Sequence, residues 1–230
     1  MVLSRAIDLS IYSLFLVIMN PETAFLCGLM ELSYGQDVVD KLKPLSQKVS
    51  WAQGWPQDVK AFWNAEAFMW QYKIDKEKRE LIGRELTFLE GGRNLDVGCG
   101  AYSYISSVGY DVSEKMLLFN ERCFEKVIGD LEYVLPFEDG SFDSATAVFV
   151  LNYVLNYKLL LSELRRVLRS RGCLMMVLYG KMLNDWQRQK EVNHFLADEW
   201  VRIACECGFQ VDFYEKEDIW FFKGIKEEFA

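Results

Sequence analysis

The chain has 230 residues, 51% of them hydrophobic and 15% aromatic, enough to bury one substantial core and to carry one catalytic unit with an extension. Its formal net charge is -8, and no large basic region stands out in either half. Affinity for DNA or RNA rests on Lys and Arg neutralising phosphates, so this balance argues against a nucleic-acid substrate.

The first 50 residues look helical and apolar. Breaks are expected at Asn20-Pro21 and around Lys43-Pro44, because the residue before a proline is pushed out of helical geometry. The apolar run Ile11 to Met19 is too short to span a bilayer and is not followed by a small-residue cleavage site. It reads as a helix packed on its own domain or on a second subunit, so no membrane association is expected and a homodimer through this extension is one of two alternatives. A tryptophan-rich turn, Trp51 to Pro56, precedes a helix expected over 57–72, and Asp75 is placed to cap a second helix reaching Leu89.

After Gly91-Gly92 the pattern becomes an alternation of strand and helix. Strands are expected near 93–97, 107–110, 126–128, 143–150, 172–178, 209–214 and 219–223, with helices over 113–123, 156–169 and 195–207. Such alternation implies an α/β fold: a mostly parallel seven-stranded sheet with helices on both faces and a ligand crevice outside the carboxyl ends of its strands. The last two strands are separated only by residues around Lys216 to Asp218, too few for a parallel crossover, so an antiparallel hairpin is expected.

Six cysteines (27, 99, 123, 173, 205 and 207) contain no C-x-x-C pair, which reads as a reducing, cytoplasmic protein. Cys205 and Cys207 lie two apart on a predicted helix and point in different directions, so no metal site is indicated. The basic cluster Arg165, Arg166, Arg169 and Arg171 falls in the last turns of a predicted helix and reads as a solvated helix end complementing the dipole.

Residues 95–103, Leu-Asp-Val-Gly-Cys-Gly-Ala-Tyr-Ser, run from an apolar strand into two glycines spaced by one residue. Gly98 and Gly100 can take positive φ and let the backbone approach a ligand closely. Three further segments follow: Val-Gly-Tyr-Asp-Val-Ser-Glu-Lys-Met-Leu (108–117), Ile-Gly-Asp-Leu (128–131) and Leu-Pro-Phe-Glu-Asp-Gly-Ser-Phe-Asp (135–143). Asp111 closes the second strand, where a carboxylate can accept hydrogen bonds from both hydroxyls of a ribose; the other reading of this residue is an N-cap for the helix that starts near Ser113.

In the order and spacing of these segments the chain resembles the class I S-adenosylmethionine-dependent methyltransferases, in particular their small-molecule branch. The resemblance runs from about Asn94 to Lys223 and includes Glu-Leu-Arg-Arg-Val-Leu-Arg-Ser-Arg-Gly at 163–172. It implies a cofactor domain over 91–230, with 1–90 as a helical extension or lid, and S-adenosylmethionine as cofactor. By the same resemblance, Asp111 is the ribose-binding acid, Asp130 contacts the adenine amino group with the backbone of Leu131 beside it, and Asp96, Gly98, Cys99 and Gly100 form the glycine loop. Asp96 there reads as holding the loop. Val112, Met116 and Phe149 are candidates for apolar walls around the adenine, or else ordinary core.

One departure concerns the loop. Only Ala101 to Ser106 separate it from the second strand, so the usual helix is nearly absent, and Ser103 stands at the third glycine position of a dinucleotide site. This counts against a nicotinamide oxidoreductase, whose pyrophosphate needs that helix N-terminus. It also leaves the methionine end of the cofactor short of cover, for which Tyr102, Trp63 and Trp70 are candidates.

The acceptor is expected near the end of the fourth strand, around Phe149, Asn152 and Tyr153. That strand end lacks the Asp/Asn-Pro-Pro-aromatic signature of amino methylation on nucleobases. His194, the single histidine, is a weaker candidate base, as are Asn152 and Tyr153 for catalysis in general. Residues 180–193, with Lys181, Asp185, Trp186 and Arg188, read as a variable substrate loop. The function expected is methyl transfer to a small-molecule acceptor. A protein or tRNA methyltransferase and a non-catalytic partner subunit of the same fold are the alternatives.

Overall fold

A computed structural model describes residues 20–31, 36–70, 74–180 and 190–227. The apolar run Ile11 to Met19, and with it the choice between packing on its own domain and a homodimer, lies outside the described residues. So do Lys181, Asp185, Trp186 and Arg188 of the expected substrate loop.

The chain divides into two compact units, Met1–Met69 and Trp70–Ala230. The first contains helices α1 (Pro21–Glu31), α2 (Gln36–Ser46) and α3 (Val59–Glu66). Asn20 accepts a hydrogen bond from the Glu22 amide at 2.9 Å, so the break expected at Asn20-Pro21 is a helix start with proline at its first position. The break expected near Pro44 does not occur: Pro44 lies inside α2, close enough to its end that few ladder bonds are sacrificed. Fully buried Phe25 packs edge-on against Trp51 at 5.7 Å and Trp55 at 5.4 Å, and the Trp51 indole donates to Glu22 at 2.6 Å. Asp58 caps α3 through the Ala61 amide.

The second unit opens with α4 (Lys76–Leu86), capped as expected by Asp75. A seven-stranded sheet follows: β1 (Asn94–Val97), β2 (Ser107–Asp111), β3 (Cys123–Ile128), β4 (Phe142–Val148), β5 (Leu168–Tyr179), β6 (Phe209–Lys216) and β7 (Ile219–Lys226). Their order is β3-β2-β1-β4-β5-β7-β6, parallel except that β7 runs antiparallel to both β5 and β6. Strands β1 and β2 are buried along their whole length, which is why they read as apolar runs. One face is covered by α6 (Tyr157–Val167) and α7 (Ala197–Glu206), whose Leu160, Leu161, Leu164, Trp200 and Ile203 meet Leu95, Val97, Leu174 and Met176. On the other face Leu81, Ile82 and Leu86 of α4 cluster with Ile105, Met175, Val177 and Phe221.

Helix α5 (Glu114–Phe119) is shorter than the stretch expected over 113–123, because Asn120 leaves helical geometry and β3 already begins at Cys123. The reading of the arginine cluster as a solvated helix end also needs correction. Strand β5 begins at Leu168, so Arg169 and Arg171 lie on a strand, and Arg169 pairs with Asp143. Arg166 donates to Glu163 at 2.7 and 2.9 Å, to Asp139 at 2.7 Å and to the carbonyls of Phe137 and Leu135 at 2.7 and 3.0 Å. It therefore clamps the segment between β3 and β4 onto α6 and holds the Glu163 carboxyl below its ordinary range. Arg166→Ala would leave buried Glu163 without its cation, and a loss of about 3 kcal/mol is expected, read as a lower denaturant midpoint at unchanged slope.

Candidate cofactor site at the carboxyl ends of the central strands

The crevice is formed where β1, β2, β3 and β4 end. Asp96, near the end of β1, lies opposite Gly109 of β2 and Thr146 of β4. Its carboxylate accepts from Ser103 Oγ at 2.6 Å and Thr146 Oγ1 at 2.8 Å. It thus holds the loop, as expected, and burial pushes its pKa up to about 6 against the opposing effect of those two hydroxyls.

The loop itself departs from the helix usual at this place. Gly98 and Gly100 have φ of +59° and +57°. A Cβ at Gly98 would collide with Val150 Cγ2 and come within 3.4 Å of Leu131 Cδ1. At Gly100 it would meet the Trp70 indole at 3.4 Å, so Trp70 does sit over the loop. Cys99 turns its thiol into a small cluster with Leu117 and Cys123, which leaves its backbone as its contribution to the loop.

The residue that organises this segment is Asn120, which the sequence pattern did not reveal. Its side chain is 0% exposed. It donates to the carbonyls of Gly100 at 3.0 Å and Cys99 at 3.4 Å and to Ser103 Oγ at 3.0 Å, and accepts from the Ser103 amide at 3.4 Å and the Arg122 amide at 3.2 Å. An asparagine at the end of a short helix was the available signal, but a helix extended over 113–123 buries that signal inside the element.

Asp111 ends β2 and is 7% exposed. Its Oδ2 accepts from the Gly100 amide at 2.9 Å and its Oδ1 from the Ser113 amide at 2.8 Å. The cap of α5 is Ser113, whose hydroxyl accepts from the Met116 amide at 3.0 Å, so the N-cap alternative for Asp111 does not hold. Burial pushes the Asp111 pKa up to about 6, opposed by the backbone amides of Ser113, Gly100 and Val112. A carboxylate has about four lone-pair sites, so further acceptor capacity remains for ligand hydroxyls.

Asp130, just past β3, accepts from the Glu132 amide at 3.0 Å and is half-buried, while Leu131 beside it is buried in the core. Val112 and Phe149 are half-buried at the crevice; Met116 is buried as a core side chain of α5. Phe149 has φ of +56°, an unfavourable geometry for an aromatic residue, and its amide donates to the Val177 carbonyl at 2.8 Å. Tyr102 packs edge-on against Tyr104 at 5.3 Å. Trp63 belongs to the first unit, where it packs on Phe62.

Beyond β4, Asn152 donates to Glu191 at 2.9 Å and its carbonyl accepts from the amides of Val192 and Asn193. His194 lies 3.6 Å from the same Glu191, with its side chain 63% exposed. The Tyr153 phenol is pushed up by burial and by the Glu191 carboxylate, so it is a hydrogen-bond donor rather than a base. Glu191, which joins Asn152 to His194, was missed because nothing in its local sequence marks it. Among the described residues no group of three or more His, Cys, Asp or Glu side chains is arranged to hold a metal, and no helix is long and apolar enough to cross a membrane.

The similarity of this chain to known proteins is centred on the strands that form the crevice. The methyltransferase domain family matches residues 95–176. The demethylmenaquinone methyltransferase of Staphylococcus saprophyticus is 33% identical over 118 residues, covering 44% of this chain and 50% of that protein. An uncharacterised protein of Methanocaldococcus jannaschii is 29% identical over 133 residues, covering 52% of this chain and 65% of that protein. The chain thus spans less than two thirds of the length of either relative. Among solved structures, a chain from the complex between the Haloferax volcanii Trm112 methyltransferase activator and a methyltransferase shares the fold, with a TM-score of 0.62 at 16% identity, covering 75% of this chain and 99% of that one. The central segment, residues 95–176, is thus similar to methyltransferase domains, and the seven-stranded sheet has the fold of a solved methyltransferase.

Proposed function

We propose that the protein transfers a methyl group from S-adenosylmethionine to a small-molecule acceptor. The observation that carries this reading is the bridge from Gly100 to Asp111: the glycine loop and the carboxylate at the end of β2 are fixed to each other in a buried site. In this reading Asp111 takes the ribose hydroxyls, Asp130 and the Leu131 backbone face the adenine, and Val112 and Phe149 supply apolar walls. When bound, the cofactor's sulfonium makes its methyl carbon electrophilic. The chain's own task is then to align the acceptor and keep water out, which accounts for most of the rate in such displacements. At the β4 end, Tyr153 donates a hydrogen bond and Glu191 is the carboxylate beside the acceptor space. His194 is too exposed to be the base of choice.

The quinone methyltransferase relative favours an apolar, aromatic acceptor, and the six free cysteines fit a reducing, cytoplasmic setting. A second reading, methylation of a protein or tRNA with an activator subunit, draws support from the edge strand β3. Phe124 and Ile128 of that strand, with nearby Leu118, Tyr133 and Val134, expose large apolar side chains. The structural neighbour solved with the Trm112 activator gives that surface a kind of partner.

The test is transfer of labelled methyl from S-adenosylmethionine to three acceptor pools: naphthoquinols, tRNA, and cell protein with and without a Trm112-type activator. Label in the quinol pool is expected. Label only in a macromolecular pool would move the second reading to first place. Binding of NADH in place of the sulfur nucleosides would overturn the cofactor assignment.

A further inference from the structure

We propose that Glu132, in the turn between β3 and β4, is the positioning residue that lets the site tell a 6-amino from a 6-oxo purine; the inference rests on the reading above, in which Asp130 and the Leu131 backbone face the adenine. The start of that turn is tied by the Gly129 amide to the Asp111 carbonyl at 3.0 Å and by the Tyr110 hydroxyl to the Asp130 carbonyl at 3.4 Å. Beyond it, Tyr133 and Val134 are 68% and 64% exposed, so their side chains add little packing. The backbone is held again only at Leu135, whose amide donates to Glu163 at 2.9 Å.

Glu132 closes the gap between these ties. Its two carboxylate oxygens each accept one backbone amide, Oε1 from Leu155 at 2.7 Å and Oε2 from Asn156 at 2.8 Å, and the Asn156 side chain donates back to the Glu132 carbonyl at 3.2 Å. Both amides immediately precede α6, so the carboxylate also meets the positive end of that helix. Asn156 makes no side-chain cap for α6, its side-chain amide being given to Glu132 instead. The anchor is itself fixed: buried Asn193 donates to the Leu151 and Val154 carbonyls at 2.9 and 2.6 Å, which holds the stretch leading to Leu155.

From this anchor the constraint passes to Asp130 through the backbone. The Glu132 amide donates to Asp130 Oδ1 at 3.0 Å, while Oδ2 accepts no hydrogen bond among the described residues. One oxygen sets the orientation of the carboxylate and the other is left for a ligand. A fixed acceptor suits a 6-amino group, which donates, and rejects a 6-oxo group, whose lone pairs face it. Such rejection requires that the acceptor cannot turn away. On a loose turn Asp130 would swing from the oxo group towards water, and the preference would shrink.

The experiment is calorimetric titration of the full chain, as wild type, Glu132→Gln and Glu132→Ala, with S-adenosylhomocysteine and with S-inosylhomocysteine, its 6-oxo counterpart. The wild type is expected to prefer the amino ligand by about 100-fold or more. Glu132→Ala is expected to cut that ratio about tenfold, with Glu132→Gln, which keeps the shape and one acceptor oxygen, in between. A thermal melt shows whether each variant folds, and Glu132→Gln decides the test if Glu132→Ala does not. A ratio left unchanged, whether both affinities fall alike or neither falls, would make Glu132 at most a structural tie and overturns the proposal. A wild type that binds both ligands equally overturns the placing of Asp130 against the adenine and the proposal with it. Failure of the wild type to bind either nucleoside would instead overturn the cofactor reading on which both rest.

Discussion

Replacing Asp111 by alanine is expected to weaken S-adenosylhomocysteine binding by about 100-fold or more. Two hydroxyl hydrogen bonds to an ionised acceptor contribute together about 3 kcal/mol, which is about two orders of magnitude in Kd. The same substitution also removes the acceptor for the Gly100 and Ser113 amides, so the loop loses its tie to β2. Calorimetry gives the affinity, and a thermal melt separates lost binding from lost structure. A Kd unchanged within threefold would remove Asp111 from the ligand's first contacts.

The same carboxylate sets a pH signature. With its pKa pushed up to about 6, Asp111 becomes protonated as pH falls from 7 to 5, and a protonated acid is a poorer acceptor for two hydroxyls. Affinity is therefore expected to fall by up to tenfold per pH unit below 6. Stability of the ligand-free protein moves the other way. Asp96 and Asp111 both have folded pKa values of about 6, above the ordinary 3.8, so between those limits the folded state holds more protons than the unfolded chain. Their contribution to stability is full below the ordinary carboxylate value and is lost as pH rises through about 6. Opposite pH trends for affinity and for melting temperature would not arise from a general acid denaturation.

Gly98→Ala is the second substitution with a large expected effect, about 3 kcal/mol of stability. Its φ of +59° places any other L-residue in the left-handed region at a cost of about 1–2 kcal/mol. The new methyl would also collide with Val150, whose branched side chain has little rotamer freedom, and overpacking adds about 1–3 kcal/mol. Chemical denaturation of the single variants and of Gly98→Ala combined with Val150→Ala separates the two causes. The double variant should recover the collision and keep the backbone cost, and a Gly98→Ala protein as stable as the wild type would contradict both.

Strands were readable from the sequence because β1, β2 and the stretch 172–178 of β5 are buried on both faces and form apolar runs, and the hairpin of β6 and β7 followed from the length of its turn. Asp96, Gly98, Gly100 and Asp111 were readable too, because strand ends and glycine spacing place them locally. What could not be read depends on side chains meeting across long stretches of chain. Asn120 reaches back to Gly100, Arg166 reaches Leu135 and Asp139, and Asn152 finds Glu191. Neither period nor propensity encodes such meetings. Pro44 inside α2 and the early start of β5 at Leu168 show the same limit for boundaries, where tertiary packing overrides local preference.

The glycine loop, tied by Asn120, Asp96 and Asp111, has its shape fixed through side-chain bonds that exist without a ligand. A nucleoside entering the crevice then meets a surface that does not have to be ordered, so little conformational entropy is lost on association. Affinity in this site is accordingly set by complementarity to a rigid rim. Small changes in that rim would alter which adenosine derivatives are accepted, with little effect on how fast they arrive.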